Sequence, residues 1–183
     1  MTATARGPQL SRLFLSGFVW FIALLAPVGT AQAASCPGEN LVKSAAASFA
    51  DAKRTNSAAA FSAAIGRYAD ANALALYALG PYRKNLPESL KASYLNQTRA
   101  YMGRFMKKHA HRIVQTNLKV VSCSDGIIKT SNGEREISWR VSGGKIRDVG
   151  SGGIWLAVQM RSKFVRIIRN SGGNIQAIFE MID

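Results

Sequence analysis

From residue 38 to residue 110 the apolar positions recur at helical spacing. Leu41, Ala45 and Phe49 lie four apart, and Phe61, Ile65 and Tyr68 repeat the pattern in the next segment. Each set places an apolar stripe on one helix face. Asp70 stands where a cap would start a third helix, which runs through Leu74 and Leu79 until Gly80-Pro81 stops it. Pro87-Glu88 opens a longer helix at its first turn, with Tyr94, Thr98, Tyr101 and Phe105 on one face. Alanine is frequent in this half, which favours helix and lets neighbouring helices approach closely.

After His111 the period changes. Val114, Thr116, Leu118 and Val120 alternate with Gln115, Asn117 and Lys119, which predicts a strand with one buried face. Asn132-Gly133 is a hairpin signal, and Ile137, Trp139 and Val141 alternate beyond it. Gly143-Gly144 turns the chain into a further strand, Lys145 to Val149. The helical period returns at Leu156, Met160, Phe164 and Ile167/Ile168. Gly172-Gly173 breaks it, and Ile175, Ile178, Phe179 and Ile182 form a last short helix. Helices, an antiparallel meander and helices again make an α+β domain, with helices packed on a curved sheet.

The start of the chain follows a different rule. Arg6 and Arg12 precede an uncharged apolar run, Leu13 to Val28, and Ala31-Gln32-Ala33 follows it with small side chains at the positions a signal peptidase reads. This predicts a secretory leader, residues 1–33, cleaved after Ala33, and a single mature domain, residues 34–183. The competing reading is a membrane anchor, but a spanning helix takes about 20 apolar residues, and Pro27 and Gly29 interrupt this run. Ala33-Ala34-Ser35 before Cys36, with Pro37 after it, fits a lipoprotein poorly.

Lys and Arg number 24 against 10 for Asp and Glu, a net charge of +14 that falls to +12 when Arg6 and Arg12 leave with the leader. Such an excess calls for an acidic partner. Export makes nucleic acid the wrong one and anionic lipid headgroups the favoured one. The two cysteines, Cys36 and Cys123, both survive cleavage; in an oxidising compartment a bridge between them ties the start of the first helix to the sheet, the alternative being two unrelated thiols. Their spacing excludes a catalytic CxxC pair.

Catalytic material is scarce. His109 and His111 lie among Lys107, Lys108 and Arg112; on a strand they share a face that could hold a metal, but a third ligand is missing and the reading preferred is the solvated end of a helix. No G-x-S-x-G, P-loop or H-E-x-x-H occurs. Gly150-Ser151-Gly152-Gly153 fits turns and a bulge better than a phosphate cradle. An enzyme, a metal site and a cofactor are not expected. Asp148, an acid in a basic chain, is expected to pair with Arg161 or another cation at the sheet–helix junction.

Two blocks carry a resemblance. Ile146-Arg147-Asp148-Val149, Gly153-Ile154, Leu156, Arg161-Ser162-Lys163-Phe164, Ile167-Ile168 and Gly173 resemble the C-terminal signature of the MlaC family, periplasmic phospholipid-shuttle proteins also called toluene-tolerance or ABC-transporter auxiliary proteins. Leu79-Gly80-Pro81-Tyr82-Arg83, then Leu86-Pro87 and an aromatic-rich helix, resemble that family's middle block, in the same order. The chain departs from the pattern by being shorter between His111 and Ile146, and by placing Trp155 where many relatives carry a small polar residue.

The resemblance implies a fold like nuclear transport factor 2, a curved sheet wrapped by helices around an apolar cavity. It implies a phospholipid held by its tails with the headgroup near solvent, and carried between an outer-membrane lipoprotein complex and an inner-membrane ABC transporter with an MCE-domain ring. On that reading the wall is drawn from Ile65, Leu76, Tyr94, Tyr101, Phe105, Ile137, Trp139, Val141, Ile154, Leu156, Met160, Phe164 and Ile168. Arg83, Lys84, Lys107, Lys108 and Arg112 either steer transient docking to anionic membranes and acidic partner faces or form an ordinary solvated surface. The rival readings are a carrier of hopanoids or other polycyclic lipids, and a periplasmic adaptor that docks on the transporter and carries nothing.

Overall fold

The apolar stripes form helices at the positions their spacing predicts. The structure, a computed structural model, describes residues 36–183; the expected leader lies outside the described residues. Helices α1 (Glu39–Arg54), α2 (Ala58–Tyr68), α3 (Ala71–Ala78) and α4 (Glu88–Ile113) come first, with a 3-10 turn at Gly80–Asn85 between the last two. Ser57 accepts the Ala60 N–H at 3.1 Å to cap α2, and Asp70 accepts the Ala73 N–H at 3.1 Å to cap α3. Asp70 also ties this helix to the sheet. Its N–H donates to the Ile146 carbonyl at 2.9 Å and its carboxylate pairs with Arg147.

Five antiparallel strands follow in sequence order: β1 (Lys119–Ser124), β2 (Ile127–Ser131), β3 (Glu136–Ser142), β4 (Lys145–Ser151) and the two-residue β5 (Ile154–Trp155). Asn132-Gly133 turns β2 into β3, as expected, and Gly143-Gly144 turns β3 into β4 with both glycines at positive φ. The first strand begins later than the alternation suggests. α4 runs on to Ile113, residues 114–118 form a loop, and Asn117 adopts φ 58°. Gln115 is buried there because both ends of its amide are used: Nε2 donates to the Arg135 carbonyl at 2.6 Å, and Oε1 accepts the Thr130 hydroxyl at 3.2 Å.

Helices α5 (Leu156–Asn170) and α6 (Gln176–Ile182) close the chain. The core joins Val42 and Phe49 of α1, Phe61 and Ile65 of α2, Tyr94, Met102 and Met106 of α4, Ile128, Ile137 and Trp139 of the sheet, and Phe164, Ile168, Ile178 and Ile182 of the last helices. Phe49 sits between Phe61 and Trp139, with ring centroids 6.2 and 6.5 Å away. The Trp139 indole N–H donates to Thr130 Oγ1 at 2.9 Å, which makes the buried polar chain continuous with Gln115.

Gly103 lets α4 approach α2 closely: a Cβ there would stand 2.5 Å from the Ala58 carbonyl oxygen. Cys36 and Cys123 are bonded, with Cα atoms 5.9 Å apart, so the start of α1 is tied to β1. Among the described residues no helix is long and apolar enough to cross a membrane.

Candidate functional site

Two neighbouring stripes run along α4. Met102, Met106 and Ala110 turn into the core, whereas Tyr101, Phe105 and Lys108, roughly 100° away around the helix, face a groove of about 800 Å³ between α4 and α5. Leu156, Met160 and Met181 complete its apolar floor with Tyr101 and Phe105, and Ile154 and Val158 form its lip. These last two are 57% and 50% exposed, two of the large apolar side chains that face solvent among the described residues. The volume lies within the range of small-molecule sites, about 300–1,000 Å³. Below the floor the core takes over: the Tyr101 ring lies 6.0 Å from that of the fully buried Phe164.

Gly152 and Gly153, both at positive φ, make the turn that brings Ile154 and Trp155 to the groove. Trp155 packs against Gly150, where a Cβ would meet its ring at 3.0 Å, and the Arg140 guanidinium lies over the indole at 4.4 Å. Trp155 thus has a seat cut for it in β4, and it lines the groove.

The wall formed by α5 is anchored at its foot by Asp148. β3 and β4 shift register between Arg140↔Asp148 and Val141↔Ile146, leaving Arg147 as the extra residue of a bulge. Asp148, 3% exposed, accepts N–H bonds from Val149 at 2.9 Å and from Ala157, in the first turn of α5, at 3.0 Å. The sequence of α5 supplies no capping side chain of its own, so a strand carboxylate caps it from a distance. Burial pushes the Asp148 carboxyl above the usual carboxylate range; the two N–H bonds and the charge of Arg140 oppose that rise. Of the cations expected to act on Asp148, Arg161 is not the one: it lies 4.9 Å over the Tyr77 ring and donates to the Tyr77 carbonyl, and the charge that acts on Asp148 is that of Arg140, opposite it on β3.

The rim is cationic. Arg104 and Lys108 stand on α4, and Lys163 and Arg166 face them from α5; Asp183 is the acidic side chain among the lining residues. Lys163 Nζ donates to the Tyr101 hydroxyl at 2.9 Å, and Arg104 donates to the Ile182 carbonyl. His109 packs against Phe105 with ring centroids 4.4 Å apart and ring planes tilted by 48°; burial first, then the charges of Arg112, Lys108 and His111, hold its pKa below the ordinary histidine value. Both histidines are on α4, and among the described residues no cluster of three His, Cys, Asp or Glu side chains could hold a metal ion. What this arrangement can do is hold an amphiphile, apolar part on the floor and anionic part at the rim.

The thirteen wall residues proposed from the sequence divide between two places. Tyr101, Phe105, Ile154, Leu156 and Met160 line the groove. Ile65, Tyr94, Ile137, Trp139, Phe164 and Ile168 are buried in the core, with Leu76 and Val141 half-buried at its margin. Trp155, Val158 and Met181 also line the groove. Val158 and Met181 carry no periodic signal that separates a groove wall from a core contact. Lys108 lies on the rim, while Arg83 and Lys84 sit on the 3-10 turn.

Comparison with known proteins adds three findings. The family model described as MlaC protein matches residues 40–183. No curated protein matches the chain. Among solved structures, a phospholipid-binding protein from Ralstonia solanacearum in complex with a phospholipid superposes with a TM-score of 0.62 at 16% identity, over 80% of this chain and 94% of that one.

Proposed function

This chain belongs to the MlaC family, and on that premise we propose that it is a periplasmic phospholipid carrier and not an enzyme. The observation that carries the reading is the groove between α4 and α5, about 800 Å³, apolar at its floor and cationic at its rim. The phospholipid bound to the protein of similar fold supports it. Each methylene taken out of water gains about 0.8 kcal/mol, so a lipid tail does not cross an aqueous compartment bare. A bilayer offers the tail a similar environment. A carrier groove that is nearly isoenergetic with membrane therefore binds tightly against water and still releases to a bilayer or to a partner protein.

The carrier takes lipid between an outer-membrane lipoprotein complex and an inner-membrane ABC transporter with an MCE-domain ring, touching membrane surfaces transiently. No covalent step is needed, and no residue here is assigned one. The leader, residues 1–33, delivers it to the periplasm.

Native mass spectrometry of protein purified without detergent tests the reading. Phospholipid adducts are expected. The double variant Ile154→Glu/Val158→Glu, which places charge on the exposed lip without touching the core, is expected to lower lipid occupancy at least about tenfold, the loss expected when charge meets an apolar site. A terpenoid mass in place of phospholipid replaces the ligand by a polycyclic lipid. Protein that stays free of lipid even after incubation with vesicles overturns the carrier reading in favour of an adaptor.

A further inference from the structure

We propose that the groove selects among phospholipids by charge, preferring headgroups of net negative charge to zwitterionic ones. The inference rests on the carrier reading and adds a specificity to it. Its basis is the placement of the rim cations on two facing helices. Arg104 and Lys108 are four residues apart on α4, and Lys163 and Arg166 are three apart on α5, so each pair shares one face of its helix. The two pairs flank the apolar floor, where the junction between tails and headgroup of a bound lipid falls.

These charges are available. Among the described residues Lys108, Lys163 and Arg166 form no ion pair with a carboxylate. Lys163 is held in place by the Tyr101 hydroxyl at 2.9 Å, which uses one of its three N–H donors. Arg104 spends a donor on the Ile182 carbonyl. Asp183 opposes them, one acidic side chain against four basic ones. A phosphate is present in every phospholipid headgroup, but a zwitterionic headgroup brings its own cation into the same space, where it meets these four. An anionic headgroup brings none. A basic residue near an anionic lipid surface is worth about a fivefold change in affinity; taking one such increment for the one headgroup charge by which the two lipid classes differ, a preference of about fivefold is expected.

The test loads the mature protein from vesicles holding phosphatidylglycerol and phosphatidylethanolamine in equal amounts, with identical acyl chains. Because both lipids share one membrane, attraction of the basic protein to the vesicle surface acts on both equally. The ratio in the isolated complex, read by native mass spectrometry, therefore reports the groove. Phosphatidylglycerol is expected to be enriched about fivefold. In the variant Lys108→Gln/Lys163→Gln/Arg166→Gln, and in wild-type protein loaded at 0.5 M salt, the ratio is expected to fall towards one.

Lipid-bound wild type with equal amounts of both overturns the selection and leaves the carrier reading standing. Wild type that takes up neither lipid removes the carrier reading itself. A charge-neutralised variant that keeps the full preference overturns the assignment to these residues. Binding of glycerol phosphate alone, as tight as that of the lipid, turns the rim into a site for free phosphate and overturns the proposal as well.

Discussion

Replacing Gly103 by alanine sets two effects of opposite sign against each other. Gly103 lies inside α4, where alanine is the better helix former by about 1 kcal/mol. Its missing side chain is also where α2 approaches. A Cβ there stands 2.5 Å from the Ala58 carbonyl oxygen, 2.9 Å from Ser62 Cβ and 3.0 Å from the Ser62 nitrogen. Carbon and carbonyl oxygen come to rest at about 3.3 Å or more, so α2 has to retreat by roughly 0.8 Å. Two of the three clashing atoms are backbone, so no rotamer relieves them, and Phe61 and Ile65 would leave their places in the core. Overpacking of this kind costs about 1–3 kcal/mol. With rigid helices on both sides the upper end applies, leaving a net loss of about 2 kcal/mol after the propensity gain.

Gly66, inside α2, is the control. A Cβ there meets Arg99 Cδ at 3.5 Å, an ordinary contact, so Gly66→Ala is expected to stabilise by about 0.5–1 kcal/mol. Urea unfolding of the oxidised mature domain, followed by far-UV circular dichroism, measures both. Midpoints should move in opposite directions with m unchanged, and Tm of Gly103→Ala should drop by about 4–8 °C. A Gly103→Ala variant as stable as wild type refutes the close approach of α2 and α4.

The disulfide closes a separation of 87 residues, for which the chain-entropy relation gives about 4.6 kcal/mol; Cys36→Ser/Cys123→Ser is expected to lose about 4 kcal/mol in urea unfolding, and a loss under about 1 kcal/mol contradicts that account. Asp148→Ala removes the distant cap of α5 and should cost about 1 kcal/mol, whereas Asp148→Asn keeps an acceptor for the Ala157 N–H and should cost less. Because burial raises the Asp148 pKa above its unfolded value of 3.8, its contribution is fully present below that pH and is lost as pH rises through the folded pKa. Stability measured against pH should therefore shift in favour of the Asn variant on going from acid to neutral; a difference that stays flat contradicts this. Tyr94 donates its hydroxyl proton to the Ala75 carbonyl at 2.6 Å, so Tyr94→Phe should cost about 1 kcal/mol near neutral pH. Burial raises the Tyr94 phenol above its ordinary value of 10.0, so wild type should also lose stability above that pH, and Tyr94→Phe should lose less, as alkaline unfolding curves will record.

The helical half was legible because residues such as Leu74 and Phe61 repeat with a period that only a helix satisfies, and because Asp70 and Pro87 mark starts. Asn132-Gly133 marked its hairpin for an equally local reason. The strand expected from Val114 failed because alternation reports burial and not hydrogen bonding. Gln115 reads as an outward polar residue, yet it is inside, satisfied by Thr130 and Arg135. The two residues of β5 are too few to show any period. The groove was half legible. Spacing puts Tyr94, Thr98, Tyr101 and Phe105 on one face of α4, yet the first two are buried in the core and the last two line the groove, a division that the period along the helix does not carry. The tie between Asp148 and the start of α5 depends on a register shift in the sheet, which no spacing along the chain announces.

The contact between Lys163 and Tyr101 ties the two walls of the groove to one another. Among the described residues it is the one side-chain hydrogen bond that crosses directly from α4 to α5. An exposed bond of this kind is worth about 1 kcal/mol, close to the gain from sheltering a single methylene. On the proposed carrier function, breaking this tie would therefore cost no more than the first carbon or two of a sheltered tail returns.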